Sequence, residues 1–270
     1  MQTNQTVIAG PTLIPDRPGY VAYRISGDTC FEVPASYHVL RAVGTGAYGV
    51  VAAAEDTRTG QRVAIKKITG VYNNLTDALR VLREISLMRH LCGHPNVLSI
   101  CDLDVSASGD DIYIYSPLFE SDLHRVIYSR QPLSDAHIQW FVYQMLAGVR
   151  WMHSASVIHR DLKPANILVN ADCTLNIADF GLARGVASSS ILDDDLTEYV
   201  VTRWYRAPEV MLSCQEYSRG VDVWGVGCIW AELLCGEPLF QGNDYLHQLR
   251  LIVDHCGSPD DDDIVSTCTF

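Results

Sequence analysis

Residues 1–36 show no sustained apolar period and carry Pro11, Pro15, Pro18 and Pro34, which predicts an extended lead-in. From Tyr37 the pattern becomes that of strands, predicted at 37–43, 50–56 and 63–68. Gly44, Gly46, Gly49 and Gly60 fall at the turns between them. A helix follows over 75–91, with Ala78, Leu82 and Ile85 on one face. Two more strand-like runs end at 112–115. Beyond residue 116 the period lengthens. Ser134 stands where an N-cap belongs, and Ile138, Phe141, Val142, Met145, Leu146, Val149 and Met152 then recur in steps of one, three and four. Residues 221–234 are apolar on nearly every side, which predicts a helix enclosed by others. A further helix over 245–255 is stopped by Gly257-Ser258-Pro259. The predicted class is α+β: an N-terminal extension 1–36, a small antiparallel sheet lobe 37–116, a hinge near 116–120, and a mainly helical lobe 117–270.

At 270 residues the chain can bury a large core in one or two domains. Its net charge of −12 argues against binding nucleic acid through phosphates. The acidic runs 193–195 and 260–263 read as solvated loop charge. The longest apolar run, 223–235, is too short to span a bilayer and contains Glu232. Residues 1–16 hold no Lys or Arg, so the basic start of a signal peptide is not expected. The nine cysteines are scattered without a CxxC pair, which predicts reduced thiols in a cytoplasmic and nuclear protein.

Gly44-Thr45-Gly46-Ala47-Tyr48-Gly49 joins two strand-like runs. A dinucleotide fingerprint has the same spacing but needs a helix after its last glycine. Here 50–54 continues as a strand. That leaves a glycine-rich flap over phosphates, or a plain hairpin. Val63-Ala64-Ile65-Lys66 sets an ammonium among apolar neighbours, where it is costly unless paired. Glu84 on the following helix is the candidate partner, although each residue alone would pass for surface charge. His159-Arg160-Asp161-Leu162-Lys163-Pro164-Ala165-Asn166 gathers an acid, an ammonium and an amide, and Asp179-Phe180-Gly181 adds a second acid. Of 20 basic residues only Lys66, Lys67 and Lys163 are lysines. Three lysines placed at random would occupy both motif positions with probability (3/20)(2/19), about one in sixty. Arg does not replace a compact ammonium at a phosphate.

From about Tyr37 onward these strings resemble eukaryotic protein kinases. Thr197-Glu198-Tyr199, between Asp179-Phe180-Gly181 and Ala207-Pro208-Glu209, is similar to the dual phosphorylation switch of the ERK-like mitogen-activated protein kinases. The strings 196–200 (LTEYV) and 202–209 (TRWYRAPE), Asp122-Leu123 and Gly257-Ser258-Pro259 carry the same resemblance. It implies an ATP- and Mg2+-dependent Ser/Thr kinase. Asp161 would orient the substrate hydroxyl and accept its proton, and Lys163 would neutralise the transferring phosphoryl group. Asn166 and Asp179 would hold Mg2+, and Thr202 would support Asp161 and Lys163. For the nucleotide it implies Gly44, Gly46 and Gly49 over the phosphates, and Lys66 with Glu84 at the α- and β-phosphates. Val51, Ala64 and Leu168 would sandwich the adenine, with Val43 beside them. Ser116 takes the gatekeeper position, backbone groups from Leu118 to Glu120 would bond the adenine edge, and Asp122 the ribose. Asp222 would bond the backbone of the catalytic loop.

The resemblance also implies control and partners. Arg80, Arg83, Arg160 and Arg184 would converge on phospho-Thr197, and Arg203 and Arg206 on phospho-Tyr199. Any one of them could instead be a solvated charge. The implied partners are an upstream dual-specificity kinase, Ser/Thr-Pro substrates and phosphatases, with no nucleic acid, no membrane and a monomeric state. A groove near 134–137 and Cys173 would take apolar docking motifs. The resemblance ends soon after Gly257-Ser258-Pro259, so the last helices of the family and its acidic docking site are expected to be missing. That would leave Glu209 without its arginine and Trp224, Trp230 and Leu251 uncovered. The alternative is therefore a truncated, inactive chain that binds nucleotide or signalling partners.

Overall fold

The computed structural model describes residues 10–26, 29–46, 49–185, 203–212 and 218–260. The chain divides into two units, one of residues 1–92 with 98–119, the other of 93–97 with 120–270.

The first unit begins with strands β1 (Thr12–Leu13), β2 (Tyr20–Ser26) and β3 (Thr29–Pro34). Then follow β4 (Tyr37–Gly46), β5 (Gly49–Asp56), β6 (Gln61–Ile68), helix α1 (Leu75–His90), β7 (Asp102–Val105) and β8 (Ile112–Pro117). The last five strands form one antiparallel sheet in the order β4-β5-β6-β8-β7. Where a lead-in was expected, β1-β2-β3 form a second antiparallel sheet. Val21, Tyr23, Ile25, Phe31 and Val33 from it share a core with Tyr37, Val39, Ile65, Tyr113 and Tyr115. The alternation is present in the sequence; Pro34 ends a strand and Pro15 and Pro18 lie in the turn between β1 and β2, so none breaks a ladder. Polar ties reinforce the packing. Arg17 pairs with Asp104 at 3.0 Å and covers the Tyr20 ring. Lys67 donates to the Cys30 carbonyl at 2.6 Å and pairs with Asp111 at 2.9 Å. Burial works to lower the Lys67 pKa, but Asp111 and Tyr113 outweigh it and the net shift is upward.

Helix α1 buries Val81, Glu84 and Met88, while Ala78 and Ile85 are half-buried. Leu82, expected on the inner face, is 60% exposed. Ala78 and Ile85 pack on the core as expected, and Val81 rather than Leu82 completes the inner face.

The second unit holds β9 (Ser121–Asp122), α2 (Leu123–Tyr128), α3 (Asp135–Ser154), β10 (Val157–Ile158), β11 (Ile167–Val169), β12 (Leu175–Ile177) and β13 (Arg184–Gly185). It continues with α4 (Pro208–Met211), α5 (Gly220–Cys235) and α6 (Tyr245–Cys256). The strands are short and pair as β12-β11-β9 and β10-β13. Ser134 caps α3 in a reciprocal capping box with His137. Of the predicted α3 stripe only Leu146 faces outward. Helix α5 is not enclosed on every side: Val223 and Leu234 are more than half exposed and Trp230, expected to be uncovered, is half exposed, while Asp222, Ile229 and Glu232 are buried. Helix α6 stops where Gly257 takes a positive φ of 88°. No helix among the described residues is long and apolar enough to cross a membrane.

Candidate active site

In the first unit, β4 and β5 meet as a hairpin whose last pair is Gly46 and Gly49. A strand, not a helix, follows Gly49, which removes the dinucleotide reading. Gly49 sits at φ 146°, and a Cβ there would lie 2.0 Å from the Lys67 carbonyl oxygen, so only glycine fits. Across the sheet Gly44 faces Val51, Val51 faces Lys66, and Ala64 faces Ser116. Val43 is half-buried on β4. The Lys66 ammonium donates to Glu84 at 2.7 Å, joining β6 to α1. Arg80 and Arg83 lie on the same helix, Arg80 3.6 Å from Asp77. The Leu118 N–H donates to the Arg62 carbonyl at 3.3 Å.

In the second unit, Asp161 gathers the loop around itself. Lys163 Nζ donates to its Oδ2 at 2.7 Å, and Asn166 Nδ2 donates to its Oδ2 at 3.0 Å and to its backbone oxygen at 2.8 Å. Asp222, 1% exposed, holds the start of that loop. Its Oδ2 accepts the His159 N–H at 2.9 Å and lies 2.8 Å from His153 Nε2, while Oδ1 accepts the Arg160 N–H at 2.9 Å. Arg160 has a φ of 70°, a left-handed conformation that costs a non-glycine residue about 1 kcal/mol. Two charge-assisted bonds to one carboxylate offset that cost. His159, fully buried, accepts the Asp161 N–H on Nδ1, which makes Nε2 the donor to the Ala178 carbonyl at 3.0 Å. Its ring meets Phe180 edge-on at 5.3 Å.

Asn166 and Asp179 are brought together through the backbone: the Ala178 N–H donates to the Asn166 carbonyl at 2.9 Å. The Asn166 amide nitrogen is spent on Asp161, which turns its Oδ1 to another partner. Asp179 is exposed, at φ 68°, and its carboxylate accepts a long bond from the Gly181 N–H at 3.4 Å. Two such oxygens fit a hard divalent cation. Asp122 caps α2 through the Arg125 N–H at 2.9 Å and faces Leu168 across β9 and β11. The Glu120 N–H donates to the Asn170 side chain at 3.2 Å.

Arg184 pairs across β13 to Ile158 of β10, next to the His159 turn. Arg160 and Arg206 are half-buried, and Arg203 donates to the Asn243 carbonyl at 3.2 Å. Thr197, Tyr199 and Thr202 lie outside the described residues. The expected groove is lined by Arg125, Pro132, Leu133, His137, Phe141 and Cys173, encloses about 490 Å³, and uses Ser134 only as the helix cap beside it. Glu209 and Leu251 are half-buried.

Three features were not anticipated. His153 shares Asp222, and the sequence offers no signal for it. Tyr205 donates to Glu232 at 2.6 Å, both buried, and burial pushes both pKa values up. Gln248 is 0% exposed on an amphipathic helix where polar residues should face outward.

The protein kinase domain family matches residues 37–264. The chain belongs to this family, with its sheet unit and helical unit. It is 51% identical to extracellular signal-regulated kinase 1 of Dictyostelium discoideum over 247 residues, 90% of this chain and 46% of the relative. It is 50% identical to mitogen-activated protein kinase 4 of Arabidopsis thaliana over 246 residues, 90% of this chain and 64% of the relative. It is 50% identical to mitogen-activated protein kinase mpkA of Aspergillus fumigatus over 239 residues, 86% and 55% of the two chains. The chain thus spans about half to two thirds of the length of these relatives.

Proposed function

We propose that this chain is a Ser/Thr protein kinase of the mitogen-activated type, using Mg-ATP. The observation that carries the reading is the grouping of Lys163 and Asn166 on Asp161, on a loop held by buried Asp222. Lys66, oriented by Glu84, would hold the α- and β-phosphates. Asn166 Oδ1 and Asp179 would hold Mg2+, which supplies positive charge at the phosphate oxygens. Asp161 would orient the attacking hydroxyl and take its proton, and Lys163 would stay beside the transferring phosphoryl group. The main gain is positioning.

Similarity to mitogen-activated kinases supports an upstream kinase and protein substrates as partners. Phosphates on Thr197 and Tyr199 would each add roughly −1.5 to −2 charge for nearby arginines to bind. The chain would act on Ser/Thr-Pro sites: Arg203 and its neighbours would close the pocket after the target residue to side chains whose backbone N–H needs a partner, and proline has no such N–H. The described cysteines are free thiols, which fits the cytoplasm and nucleus.

The test is phosphotransfer to a Ser-Pro peptide by chain phosphorylated on both residues. Thr197→Ala with Tyr199→Phe should retain only basal transfer. Full activity in the double variant would overturn the switch.

A further inference from the structure

The short turn Arg203–Tyr205 has an unusual support. Arg203 Nη1 donates to the Asn243 carbonyl at 3.2 Å, and Trp204 Nε1 donates to the Gly242 carbonyl at 3.1 Å. Two consecutive side chains of the turn therefore end on two consecutive carbonyls of the segment before α6. Gln248, in the first turn of α6, fixes that segment from the other side. Its Oε1 accepts the Gly242 N–H at 2.9 Å, and its Nε2 reaches the Trp204 carbonyl at 3.5 Å. It therefore contacts both halves of the support. A fully buried amide must match its donor and its acceptor to remain buried. The fit is close: a Cβ on Gly242 would lie 2.4 Å from Gln248 Oε1 and 2.6 Å from its Cα. The segment is also stiff, with Asn243 donating to His247 Nδ1 at 3.2 Å and His247 donating to Asp244 at 2.8 Å.

We propose that Gln248 is a positioning residue for substrate selection. It sets residues 242–243, and through them the Arg203 and Trp204 side of the pocket that selects the residue after the phosphorylated Ser or Thr. This rests on the proposed reading of Arg203 and its neighbours as that pocket's wall.

Gln248→Glu keeps the shape and an acceptor but turns a carboxylate oxygen toward the Trp204 carbonyl. Gln248→Met removes both bonds. For folded variants, KM for a Ser-Pro peptide should rise about tenfold while kcat changes less than twofold, a factor matching one or two lost hydrogen bonds. Preference for Ser-Pro over Ser-Ala should fall by about the same factor. Anisotropy of a labelled Ser-Pro peptide, which needs no turnover, should show the same loss of affinity. Should Gln248→Met fail to fold, Gln248→Glu carries the test. Unchanged affinity and preference in the folded variants, or equal losses in kcat and kcat/KM, would overturn the assignment. A wild-type chain that binds the peptide but transfers no phosphate would strike the kinase reading instead, and the anisotropy comparison would still decide the role of Gln248.

Discussion

Asp222 serves two backbone N–H groups and one imidazole with a single buried carboxylate, so the left-handed turn at Arg160 is held by a residue 62 positions away. Its role was legible only through the resemblance to protein kinases. Glu232, on the same helix, was legible only as a charge interrupting an apolar run. Burial raises its pKa, with Tyr205 and His124 acting in the opposite direction. A carboxyl whose folded pKa exceeds its unfolded value binds its proton more tightly when folded. Its stability contribution is full below the ordinary carboxylate range and is lost as pH rises through the raised pKa. Glu232→Gln removes that loss. The melting temperature of the variant relative to wild type should therefore climb as pH rises from about 4 toward neutrality. A difference that does not vary with pH would refute the account. The residues that chemistry requires were readable because ammonium, acid and amide stand in fixed order. Gln248 and His153 were not, since their partners lie far along the chain and polar residues usually face water.

Helix α5 approaches the catalytic loop through a glycine, and α3 approaches Asn96 and β12 through another. A Cβ on Gly225 would lie 3.0 Å from Leu162 Cβ, and one on Gly148 would lie 3.0 Å from the Asn96 carbonyl oxygen and 2.8 Å from an Ile177 methyl. Period and caps made these helices legible, and Ser134 was readable as a cap because Asp135 and a long apolar stripe follow it. Ser134→Ala should cost about 1 kcal/mol, read as a lower denaturation midpoint at unchanged m-value. An unchanged midpoint would mean that the cap contributes nothing. What the pattern did not reveal was which apolar residues stay outside. Helix α5 carries apolar residues on every side, so its pattern could not distinguish Ile229, fully buried, from Val223, half exposed. Strands β2 and β3 were hidden for another reason: four prolines within 36 residues masked an alternation that Val21, Tyr23 and Ile25 display.

At the scale of the molecule, each unit contributes its own set of chemistry. The sheet unit contributes the Gly46–Gly49 hairpin and the Lys66–Glu84 pair, and the helical unit contributes Asp161, Lys163, Asn166 and Asp179. An acidic chain with net charge −12 has kept two of its three lysines at those sites. The family explains that economy, and similarity over 86–90% of the chain to kinases of three organisms fits it. The most direct measurement is the rate of phosphate transfer from Mg-ATP to a Ser-Pro peptide by the phosphorylated chain, compared with Asp161→Asn. The account predicts measurable transfer that falls by about 10²- to 10⁴-fold in the variant, the range expected when a positioned acid–base group is removed. Equal transfer by both chains, or none from a folded and doubly phosphorylated chain, would contradict it.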